Sequence, residues 1–516
     1  ALFATRLLSF LWFHFSLPIV LHKLQHGYLS NLLVSSEALI VAELSLTLHK
    51  PQQTDLHVPL IDVSVKNEQD MFPGFIFWAP YLTDLPGPLI HDMNGELVWS
   101  GSNGSTTDLF HDLHICSYAN TDHLCYFKGT QIGGYARGTN LFLNGSYQPA
   151  ATVQSGNNLE ISDMHELNVV DEESVLITVY QPRAYDLTSY GIPAGDGWVM
   201  DGVFQEIDIT SGEVLFQWAS LDHVPLSETY VPLRLNPIVG DGLSNSTPWD
   251  YFHINSVDKS DAGDYLISSR HTSTIYKISG HDGSLTWQLG GKKSSFALVD
   301  YNFSSQHDAR FLEMNETHTI LSFFDNGSDD YRNTSSTSAG MIVSIDHRKN
   351  TSNALGRFEA PGEGLLSTSQ GNMQVLPNGN IFIGWGSNAY VSEHTPNGAV
   401  VYFAGLKDKN AMNYRAFKWN WKSTPFTPPS LFAQASSPNG QVTFWASWNG
   451  ATDYNSWKFY GRKSESDPME LVASVPRQGF QTTFTSPQFY SYALAEAISG
   501  DGSSLRNTTI ATVVLS

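Results

Sequence analysis

Four histidines in this sequence share one local pattern, in which the histidine begins a strand-like run and an apolar residue follows four positions later. They are His111, His165, His253 and His307. His111 lies 54 residues before His165, and His253 lies 54 residues before His307. The spacing predicts a repeated structural unit that presents one histidine in each copy. Side chains in the same register of such repeats point to a common region, so we expect these imidazoles to meet.

A second set of polar and aromatic positions follows the histidines. Lys128, Arg270 and Phe324 each lie 17 residues after one of them, and Tyr180 and Trp385 occupy the equivalent strand ends. An arginine offers a planar fork of donors that matches sulfate or phosphate oxygens. Aromatic side chains provide apolar walls for an aryl group. Together with the histidines, these residues predict a pocket for an anion that carries an aromatic group.

Three kinds of function suit such a pocket. Neutral imidazole is a good nucleophile near pH 7, and nearby donors would stabilise the charge that develops during transfer of a group to it. Three imidazoles also suit zinc or copper, although Arg270 would repel a dication and Asp308 is the one carboxylate close to the register. The sequence contains neither a Gly-x-Ser-x-Gly elbow nor a Walker-type phosphate loop. Nucleophilic catalysis by histidine is therefore favoured, with a metal-dependent hydrolase or oxidoreductase and a non-catalytic binding protein as alternatives.

The elements that must position these residues are β-strands. Short runs rich in Val, Ile, Tyr, Phe and Thr alternate with Asn-Gly and Asp-Gly turns, with almost no helical periodicity between residues 70 and 425. This pattern predicts an all-β fold with a six-bladed β-propeller. The candidate blades are 72–105, 108–155, 163–222, 251–292, 305–362 and 368–406.

The first strand of each blade lines the channel of a propeller, which would bring the four histidines together. Gly371 takes the corresponding place in the sixth candidate blade. Other histidines lie off register or in turns and are interpreted as structural. These are His123, His271, His281 and His347.

The pattern divides the chain into four parts. Residues 1–22, apolar after Arg6, are predicted to be a signal peptide or signal anchor. Residues 23–70 form a leader of uncertain structure, and 71–428 the catalytic propeller, with its end at 414–429 interpreted as a linker. Residues 429–516 show shorter alternating strands, which predict a small β-sandwich of immunoglobulin or fibronectin type. Propeller closure needs a strand that the pattern does not locate.

Composition and charge narrow the possible partners. The 516 residues are 41% hydrophobic and 12% aromatic, enough for a large core, and the net charge of −22 argues against nucleic-acid binding. Nine Asn-x-Ser/Thr sequons suggest a secreted glycoprotein. They begin at Asn103, Asn144, Asn245, Asn302, Asn315, Asn326, Asn333, Asn350 and Asn507. Membrane association is expected only if the N-terminal segment is an uncleaved anchor.

Cys116 and Cys125 are the two cysteines of the chain. They flank a predicted hairpin, so they would face each other across two strands. In an oxidising compartment we expect them to form a structural disulfide. Two cysteines exclude a thiolate zinc site with three or more sulfur ligands.

Several segments resemble the arylsulfate sulfotransferase family, particularly its fungal secreted branch. They are DMHEL at 163–167, DYFHINSVD at 250–258, DYLISSRHT at 264–272, QHDARF at 306–311, GWGS at 384–387 and SWNG at 447–450. The resemblance covers about residues 70–515. It implies a six-bladed propeller that moves a sulfuryl group from an aryl sulfate to a phenol without the nucleotide donor PAPS and without another cofactor.

The resemblance also implies roles for individual residues. His307 looks like a nucleophile that forms a sulfohistidine in a ping-pong reaction. His165, His253 and Arg270 would grip the sulfuryl oxygens, and Asn255 looks like a further substrate-binding residue. One of the histidines would protonate the leaving phenolate.

Overall fold

The computed structural model describes residues 59–84, 86–102, 104–105 and 107–515. The predicted targeting segment and residues 23–58 of the predicted leader lie outside this range. The described residues form 35 β-strands and three short 3-10 helices, which confirms the all-β prediction. In this part of the chain, no helix is long and apolar enough to cross a membrane.

The N-terminal half of the described chain forms three of the sheets and contributes to another. The first strands are β1 (Ile61–Lys66), β2 (Phe75–Trp78), β3 (Leu89–His91) and β4 (Leu97–Ser100). The next sheet consists of β5 (Leu109–Tyr118), β6 (Thr121–Ile132), β7 (Tyr135–Leu143) and β8 (Pro149–Val153). It is followed by a sheet of β9 (Leu167–Val170), β10 (Ser174–Ala184), β11 (Trp198–Asp208) and β12 (Val214–Ala219). The 3-10 helices are Thr188–Tyr190, Ser220–Asp222 and Leu226–Glu228.

Three further sheets follow in the same manner. One consists of β13 (Ile254–Lys259), β14 (Tyr265–Ser269), β15 (Thr274–Ile278) and β16 (Leu285–Gly290). The next consists of β17 (Ala297–Val299), β18 (His307–Met314), β19 (His318–Asp325), β20 (Ala339–Asp346) and β21 (Thr351–Phe358). The last contains β22 (Asn372–Val375), β23 (Ile381–Gly384), β24 (Tyr390–His394) and β25 (Val400–Leu406).

Before the predicted sandwich, three strands lie outside the candidate blades that the sequence predicted. β17 falls between the fourth and fifth candidate blades and pairs in parallel with β21. β1 falls in the predicted leader and pairs with β25 at the edge of the sixth sheet. β26 (Ala416–Trp419) falls in the predicted linker and pairs with β2, giving a first sheet of β26, β2, β3 and β4. The interpretation of 414–429 as a linker is therefore wrong for these residues. Four residues are too few for a recognisable strand period, and the pairing partner lies far away in the chain.

The innermost strands of these six sheets contact one another in a closed cycle. The order is β26, β5, β9, β13, β18 and β22, and β22 contacts β26 again. This arrangement is β-propeller-like, because each sheet presents one strand to a common axis. β26, the last of these inner strands along the chain, pairs with β2 in the first sheet. Backbone hydrogen bonds therefore join the N-terminal and C-terminal ends of this region.

The burial pattern of the strands follows from this packing. β14 and β23 are buried at every residue, because neighbouring sheets cover both of their faces. Apolar residues of adjacent sheets form shared clusters, such as the one that joins Phe204 with Tyr265. The predicted Asn-Gly turns are present as well. Gly95 and Gly398 adopt φ values of 82° and 90°, which residues with a Cβ rarely adopt.

The C-terminal residues form two sheets of their own. Their strands are β27 (Ser430–Ala435), β28 (Val442–Ser447), β29 (Tyr454–Arg462), β30 (Glu470–Pro476), β31 (Gln481–Ser486), β32 (Tyr492–Ser499), β33 (Ser504–Asn507), β34 (Ala511–Thr512) and β35 (Val514–Leu515). One sheet has the order β31-β28-β27-β35, and the other β30-β29-β32-β33 with β34 beside β32. A separate apolar cluster that includes Phe444, Trp457 and Phe459 is shared by their strands.

The predicted disulfide between Cys116 and Cys125 is confirmed. It joins β5 to β6, with a Cα–Cα distance of 6.0 Å that is normal for such a bond. Both cysteines are buried against neighbouring apolar residues such as Phe142. The bond therefore crosslinks two paired strands and has a structural role.

The sequon asparagines differ in exposure. Six in the described residues are exposed, namely Asn245, Asn302, Asn315, Asn333, Asn350 and Asn507. Asn144 is half-buried. Asn326 is fully buried, so its side chain has no room for a glycan in the folded protein.

Candidate functional site

A cavity of about 270 Å³ lies at one end of the ring of inner strands. Its lining includes three of the four predicted histidines together with Arg270. These residues are His165, His253, Arg270 and His307, with His271 beside them. The repeat register therefore brings together the four residues for which the resemblance implies a part in sulfuryl transfer.

The backbone is irregular where these strands begin, and this irregularity sets the direction of the side chains. The ladder register shifts between His307 and Arg310 and between Ile254 and Ser256, and His253 adopts a left-handed φ of 56°. Bulges of this kind redirect side chains at the end of a strand. As a result, His307 lines the cavity, whereas Asp308, the next residue, contacts Arg310 and Arg415.

The amide of Asn326 determines the tautomer of His307. Its Oδ1 lies 2.7 Å from His307 Nδ1. Its Nδ2 donates to the carbonyls of Ser367 at 2.8 Å and Gln370 at 2.9 Å, which fixes which end of the amide is oxygen. Because an amide oxygen can only accept, Nδ1 must carry the proton. The lone pair of His307 is therefore on Nε2.

The Nε2 lone pair faces a backbone donor. The N–H of Gln370 lies 3.2 Å from His307 Nε2, and Gln370 has a left-handed φ of 65°. Burial and the nearby Arg270 cation hold the pKa of His307 well below its usual range, although the bond to Asn326 raises it. His307 is thus neutral at physiological pH, with an unprotonated Nε2 that accepts the N–H of Gln370.

His165 is held by a carboxylate rather than an amide. Its Nδ1 lies 2.5 Å from Asp163 Oδ2, which also accepts the hydroxyl of Thr178 at 3.1 Å. Burial alone would raise the pKa of Asp163, but His165 and the surrounding hydrogen bonds lower it. The ionised Asp163 therefore orients His165 with Nδ1 as donor and stabilises positive charge on its ring.

His253 has the same kind of partner. Its Nδ1 lies 2.6 Å from Asp250 Oδ2, and the backbone carbonyl of Asp250 lies 2.6 Å from His271 Nδ1. Burial lowers the pKa of His253 well below its usual value, helped by repulsion from His165 and Arg270. Burial also raises the pKa of Asp250. Without an anion in the cavity, His253 is neutral.

The histidine rings lie close enough to act on one group. The ring centroids of His165 and His253 are 4.8 Å apart, and those of His253 and His271 are 4.6 Å apart. Tyr414 packs against His165 at 5.4 Å and His307 at 6.5 Å. The Tyr414 hydroxyl donates to the carbonyls of His165 and Asn255, at 3.2 and 3.1 Å, and so ties this ring to the strand starts.

Arg270 supplies the positive charge of the cavity lining. Its Nη1 donates to His271 Nε2 at 3.0 Å and its Nη2 to the carbonyl of Thr368 at 3.1 Å. Its Nε atom is buried and has no hydrogen-bond partner among the described residues. Burial lowers the pKa of Arg270, but a guanidinium stays charged at neutral pH. The arrangement leaves a donor for an incoming anion.

Two other predicted residues lie behind the lining. Tyr180 stacks on His165 with ring centroids 5.0 Å apart and supports it from the side. His111 packs at 5.1 Å from Tyr81 and 5.2 Å from Tyr414, outside the residues that line the cavity. Burial lowers the pKa of His111 to about 3, so it is a neutral packed ring. The prediction that it contacts substrate finds no support in this position.

Asn255 and Lys128 also lie outside the cavity lining. Asn255 is buried and donates to the carbonyl of Gln306 at 2.8 Å, bridging two inner strands. Lys128 pairs instead with Asp108 at 3.0 Å. The residue spacing that predicted a second ring therefore holds for Arg270 but not for Lys128.

The predicted aromatic wall is wrong in its members. Phe324 and Trp385 pack against each other at 5.6 Å in the core, and Trp385 Nε1 donates to Ser392. Neither lines the cavity. The apolar lining comes from residues such as Tyr81, Met164, Leu235, Ile238 and Met412. Most of these lie in connecting loops, where no strand register applies.

Sequence reasoning missed several residues of the site. Asn326 was interpreted only as a sequon, His271 as structural, and Tyr414 as part of a linker. Tyr414 and Arg415 stand just before β26 as His307 and Asp308 stand at the start of β18. A polar pair before a short apolar strand was therefore the signal that could have located them.

A buried ionic cluster lies on the inner strands beside the histidines. Arg415 contacts Asp112 at 3.1 Å, Glu166 at 2.9 Å and Asp308 at 3.5 Å. Arg310 contacts Glu166 at 2.9 Å and Asp308 at 2.7 Å. Burial would raise the pKa of Glu166, but the two guanidiniums lower it to about 2. The cluster links strands of four sheets around the axis.

One group in the described residues has the composition of a metal site. It consists of Asp250, His253 and His271, whose ligand atoms lie within 4.8 Å of one another. Nδ1 of His253, however, already donates to the carboxylate of Asp250, and Nδ1 of His271 donates to the backbone carbonyl of Asp250. Arg270 Nη1 also lies 3.0 Å from His271 Nε2. A dication would have to displace these bonds beside a fixed positive charge, so the geometry suits an anion better.

Comparison with known proteins adds one family and several distant structures. The family model described as arylsulfotransferase (ASST) matches residues 114–405, more than half of the chain. The sequence matches no curated protein.

The structural likenesses are weak. A Bacteroides caccae protein of unknown function is 12% identical with a TM-score of 0.40, covering 67% of this chain and 99% of its own. A Lactobacillus plantarum protein is 10% identical with a TM-score of 0.32, covering 80% and 99%. Apo AztD from Citrobacter koseri is 8% identical with a TM-score of 0.27, covering 67% and 98%. At these scores, they support no argument about function.

Proposed function

This chain belongs to the arylsulfotransferase family, and on that premise we propose that it transfers a sulfuryl group from an aryl sulfate to a phenol through His307. The observation that carries the proposal is the bond between His307 Nδ1 and Asn326 Oδ1 at 2.7 Å. It leaves a neutral imidazole with its lone pair on Nε2, in a cavity that also contains Arg270. In the described residues, His271 also has its Nδ1 opposite a neutral oxygen, the backbone carbonyl of Asp250 at 2.6 Å. Its Nε2, however, accepts from the Arg270 cation at 3.0 Å, whereas the donor to His307 Nε2 is the neutral N–H of Gln370 at 3.2 Å.

In the first half-reaction, the donor sulfate occupies the cavity between His307 and Arg270. The Nε2 lone pair attacks sulfur, a bond forms between nitrogen and sulfur, and the bond from sulfur to the aryl oxygen breaks with its electron pair. The leaving phenolate takes a proton from His165 or His253. The enzyme then carries the sulfuryl group on His307.

In the second half-reaction, a phenol takes the place of the first product. Its hydroxyl proton passes to the histidine that had given one up, and its oxygen attacks sulfur. The bond from sulfur to His307 Nε2 breaks, and the electron pair returns to the ring. The net result is exchange of the sulfuryl group between two phenols, with no nucleotide donor and no cofactor.

Arg270 and the two Asp-paired histidines stabilise charge in these steps. The guanidinium can donate to sulfuryl oxygens, and such preorganised donors typically contribute about 10²–10³ in rate. Asp163 and Asp250 accept from Nδ1 of His165 and His253 and so hold each ring in a fixed orientation, which suits these histidines to exchange a proton with the phenol oxygen through Nε2. The amide of Asn326 has no charge and leaves His307 unprotonated.

We also propose the architecture and location of this enzyme. The six sheets whose inner strands form the cycle are the blades of a propeller, and residues 430–515 form an immunoglobulin- or fibronectin-like sandwich. Residues 1–22 direct the chain to the secretory pathway as a signal peptide or anchor, in agreement with the exposed sequons. These statements are supported by sheet order and exposure.

The proposal is tested by mass spectrometry of protein incubated with 4-nitrophenyl sulfate and no acceptor. We expect a sulfuryl adduct on the peptide that contains His307, and its loss on adding phenol. The variant His307→Ala should form no adduct and release no 4-nitrophenol, while the exposed control His281→Ala should behave like wild type.

Three results would contradict this function. Turnover that persists in His307→Ala would show that another group attacks. Binding of aryl sulfates with neither adduct nor turnover, under all donors and pH values tried, would instead favour a secreted binding propeller. Activity that requires stoichiometric zinc or copper would favour the metal-dependent alternative.

A further inference from the structure

The mouth of the histidine cavity is built by loops from three sheets. They are the hairpin tip at 131–134, the connection at 229–242 and the connection at 327–334. Asn236 Nδ2 donates to the hydroxyl of Tyr331 at 2.8 Å and so joins two of these loops at the mouth. Ile238 lies over Gly134, where an added Cβ would approach the Ile238 side chain to 2.8 Å. Specific contacts therefore hold the loops of the mouth to one another.

Among the described residues that line the cavity, the cationic and the anionic side chains lie on different segments of the chain. Arg270 is its cation and lies beside the histidines, whereas Asp329 and Asp330 are its anions and lie on the loop at the mouth. Asp329 is held in place because its Oδ1 accepts the backbone N–H groups of Tyr331 at 3.0 Å and Arg332 at 2.6 Å. Asp330 is exposed and Asp329 half-buried, whereas His307 is buried, so the acidic groups lie toward solvent. They are still close enough to Arg270 to oppose the lowering of its pKa by burial.

The nearest basic side chains of the mouth do not offset the two aspartates. Arg332 lies 4.5 Å from the ring centre of Tyr230, and Lys292 lies 5.0 Å from the same ring. Lys292 Nζ also donates to the carbonyl of Thr229 at 2.6 Å. Both cations are engaged on Tyr230 and neither lines the cavity.

Apolar side chains also line the cavity, among them Leu235, Ile238 and Val239. Ile238 is 59% exposed, which leaves much of its surface available to a ligand. Two buried polar atoms of the lining, Arg270 Nε and Gln370 Oε1, have no hydrogen-bond partner among the described residues. The lining thus offers a hydrogen-bond donor for an anion, an apolar wall and an acidic pair on the more exposed loop.

We propose that this mouth selects phenolic substrates that carry a cationic group on the side of the ring opposite the reacting oxygen. The phenolic oxygen or its sulfate would lie near Arg270 and His307, the ring against Leu235 and Ile238, and an ammonium group near Asp329 and Asp330. The identity of the ligand as a phenol rests on the proposed function, whereas the preference for a cation rests on the mouth alone. Substrates with a carboxylate at that position would be repelled.

Three phenols of nearly the same shape test the proposal. They are 4-(2-aminoethyl)phenol, 4-ethylphenol and 3-(4-hydroxyphenyl)propionate, which are cationic, neutral and anionic at pH 7. Partly exposed charge pairs change affinity by up to about fivefold each, so we expect the cation to bind about tenfold more tightly than the anion. Calorimetry measures binding directly and does not depend on turnover. The difference should shrink in 1 M NaCl as charges are screened.

The double variant Asp329→Asn plus Asp330→Asn should bring the three affinities to within about twofold of each other, because it removes the charge. Asparagine keeps the Oδ1 acceptor that holds the loop. Asp330→Asn alone should give an intermediate difference, and an unchanged melting temperature would show that the loop is intact. A control that removes two exposed charges elsewhere, Glu465→Gln plus Glu470→Gln, should leave the preference unchanged.

Equal affinities of wild type for the three phenols would overturn this inference, as would a preference that survives the double variant. Absence of turnover with any phenol, despite a clear binding preference, would contradict the proposed function and leave the selectivity of the mouth standing. The two proposals therefore fail by different measurements.

Discussion

His307 Nδ1 and Asn326 Oδ1 are 2.7 Å apart, so His307 faces a neutral side-chain amide. His165 and His253 face the carboxylates of Asp163 and Asp250, and His271 faces the backbone carbonyl of Asp250 while its Nε2 accepts from Arg270. A carboxylate favours the protonated imidazole, whereas a neutral amide selects a tautomer without adding charge. The proposed division of labour between nucleophile and proton donors is based on these partners.

Replacing Asn326 by Asp should change the pH dependence of sulfuryl transfer. A carboxylate beside Nδ1 raises the pKa of His307 from its present low value, so the acid limb of kcat/KM should move by about one to three units to higher pH. The variant Asn326→Leu should lose about 10- to 100-fold in kcat, because nothing then selects the tautomer. A pH–rate profile measures both effects.

Asn388 provides the control for these variants. Its Nδ2 donates to the carbonyl of Leu366 and the hydroxyl of Ser367, close to the segment that Asn326 holds, without a contact to His307. Asn388→Asp should therefore leave the acid limb in place. An equal shift in both variants would mean that Asn326 acts only through local structure.

The sequon at Asn326 should remain unmodified in folded protein made by a eukaryotic host. Its amide is buried and has all of its described contacts inside the protein, with His307, Ser367 and Gln370. The exposed Asn333 should carry glycan in the same preparation. Peptide mapping before and after enzymatic deglycosylation gives the occupancy of each site, and a glycan on Asn326 of active protein would contradict the structure.

Arg270→Lys should raise the KM for an aryl sulfate by about tenfold, because an ammonium lacks the planar fork that matches sulfuryl oxygens. It would also lose the two bonds to His271 and to the carbonyl of Thr368. Steady-state kinetics with 4-nitrophenyl sulfate measures the change. Arg183→Lys, at a half-exposed pair with Asp201, should have no effect on KM.

His111→Leu should make the protein less sensitive to acid. Burial lowers the pKa of His111 to about 3, so below about pH 6.5 the unfolded state binds a proton that the folded state does not. Stability is therefore lost as pH falls from about 6.5 toward 3, by about 2 kcal/mol at pH 5 for this group. The variant should recover that amount relative to wild type between pH 7 and pH 5.

Urea unfolding at the two pH values tests this expectation. The exposed His281→Leu serves as control and should keep the pH dependence of wild type. The His111→Leu variant should also retain aryl sulfate binding, since His111 does not line the cavity. Parallel stability curves for wild type and His111→Leu would show that His111 is not a buried neutral group.

Arg415→Met should destabilise the fold by about 3–5 kcal/mol, because it leaves the buried Asp112 without its guanidinium partner and leaves Glu166 and Asp308 to share Arg310. Adding Glu166→Gln should recover part of the loss by removing one uncompensated charge. Denaturant titration measures both, with the exposed Arg348→Met expected within about 0.5 kcal/mol of wild type. Similar losses in the single and double variants would argue against an electrostatic cause.

The residue pattern by itself predicted the all-β class, the disulfide and the meeting of His165, His253, Arg270 and His307. These features depend on local period and repeat spacing, which a sequence displays directly. Strand alternation defines which residues face inward, and repetition of the unit places equivalent residues around one axis.

Tertiary structure alone decided the features that join distant segments. β26 completes the first sheet, and Tyr414 and Arg415 enter the centre with it, because pairing with β2 is not encoded in a four-residue run. The lining of the mouth comes from loops without a period. The partner of each histidine also depends on folding, since Asn326 resembles a surface sequon until β19 and the neighbouring loop bring it to His307.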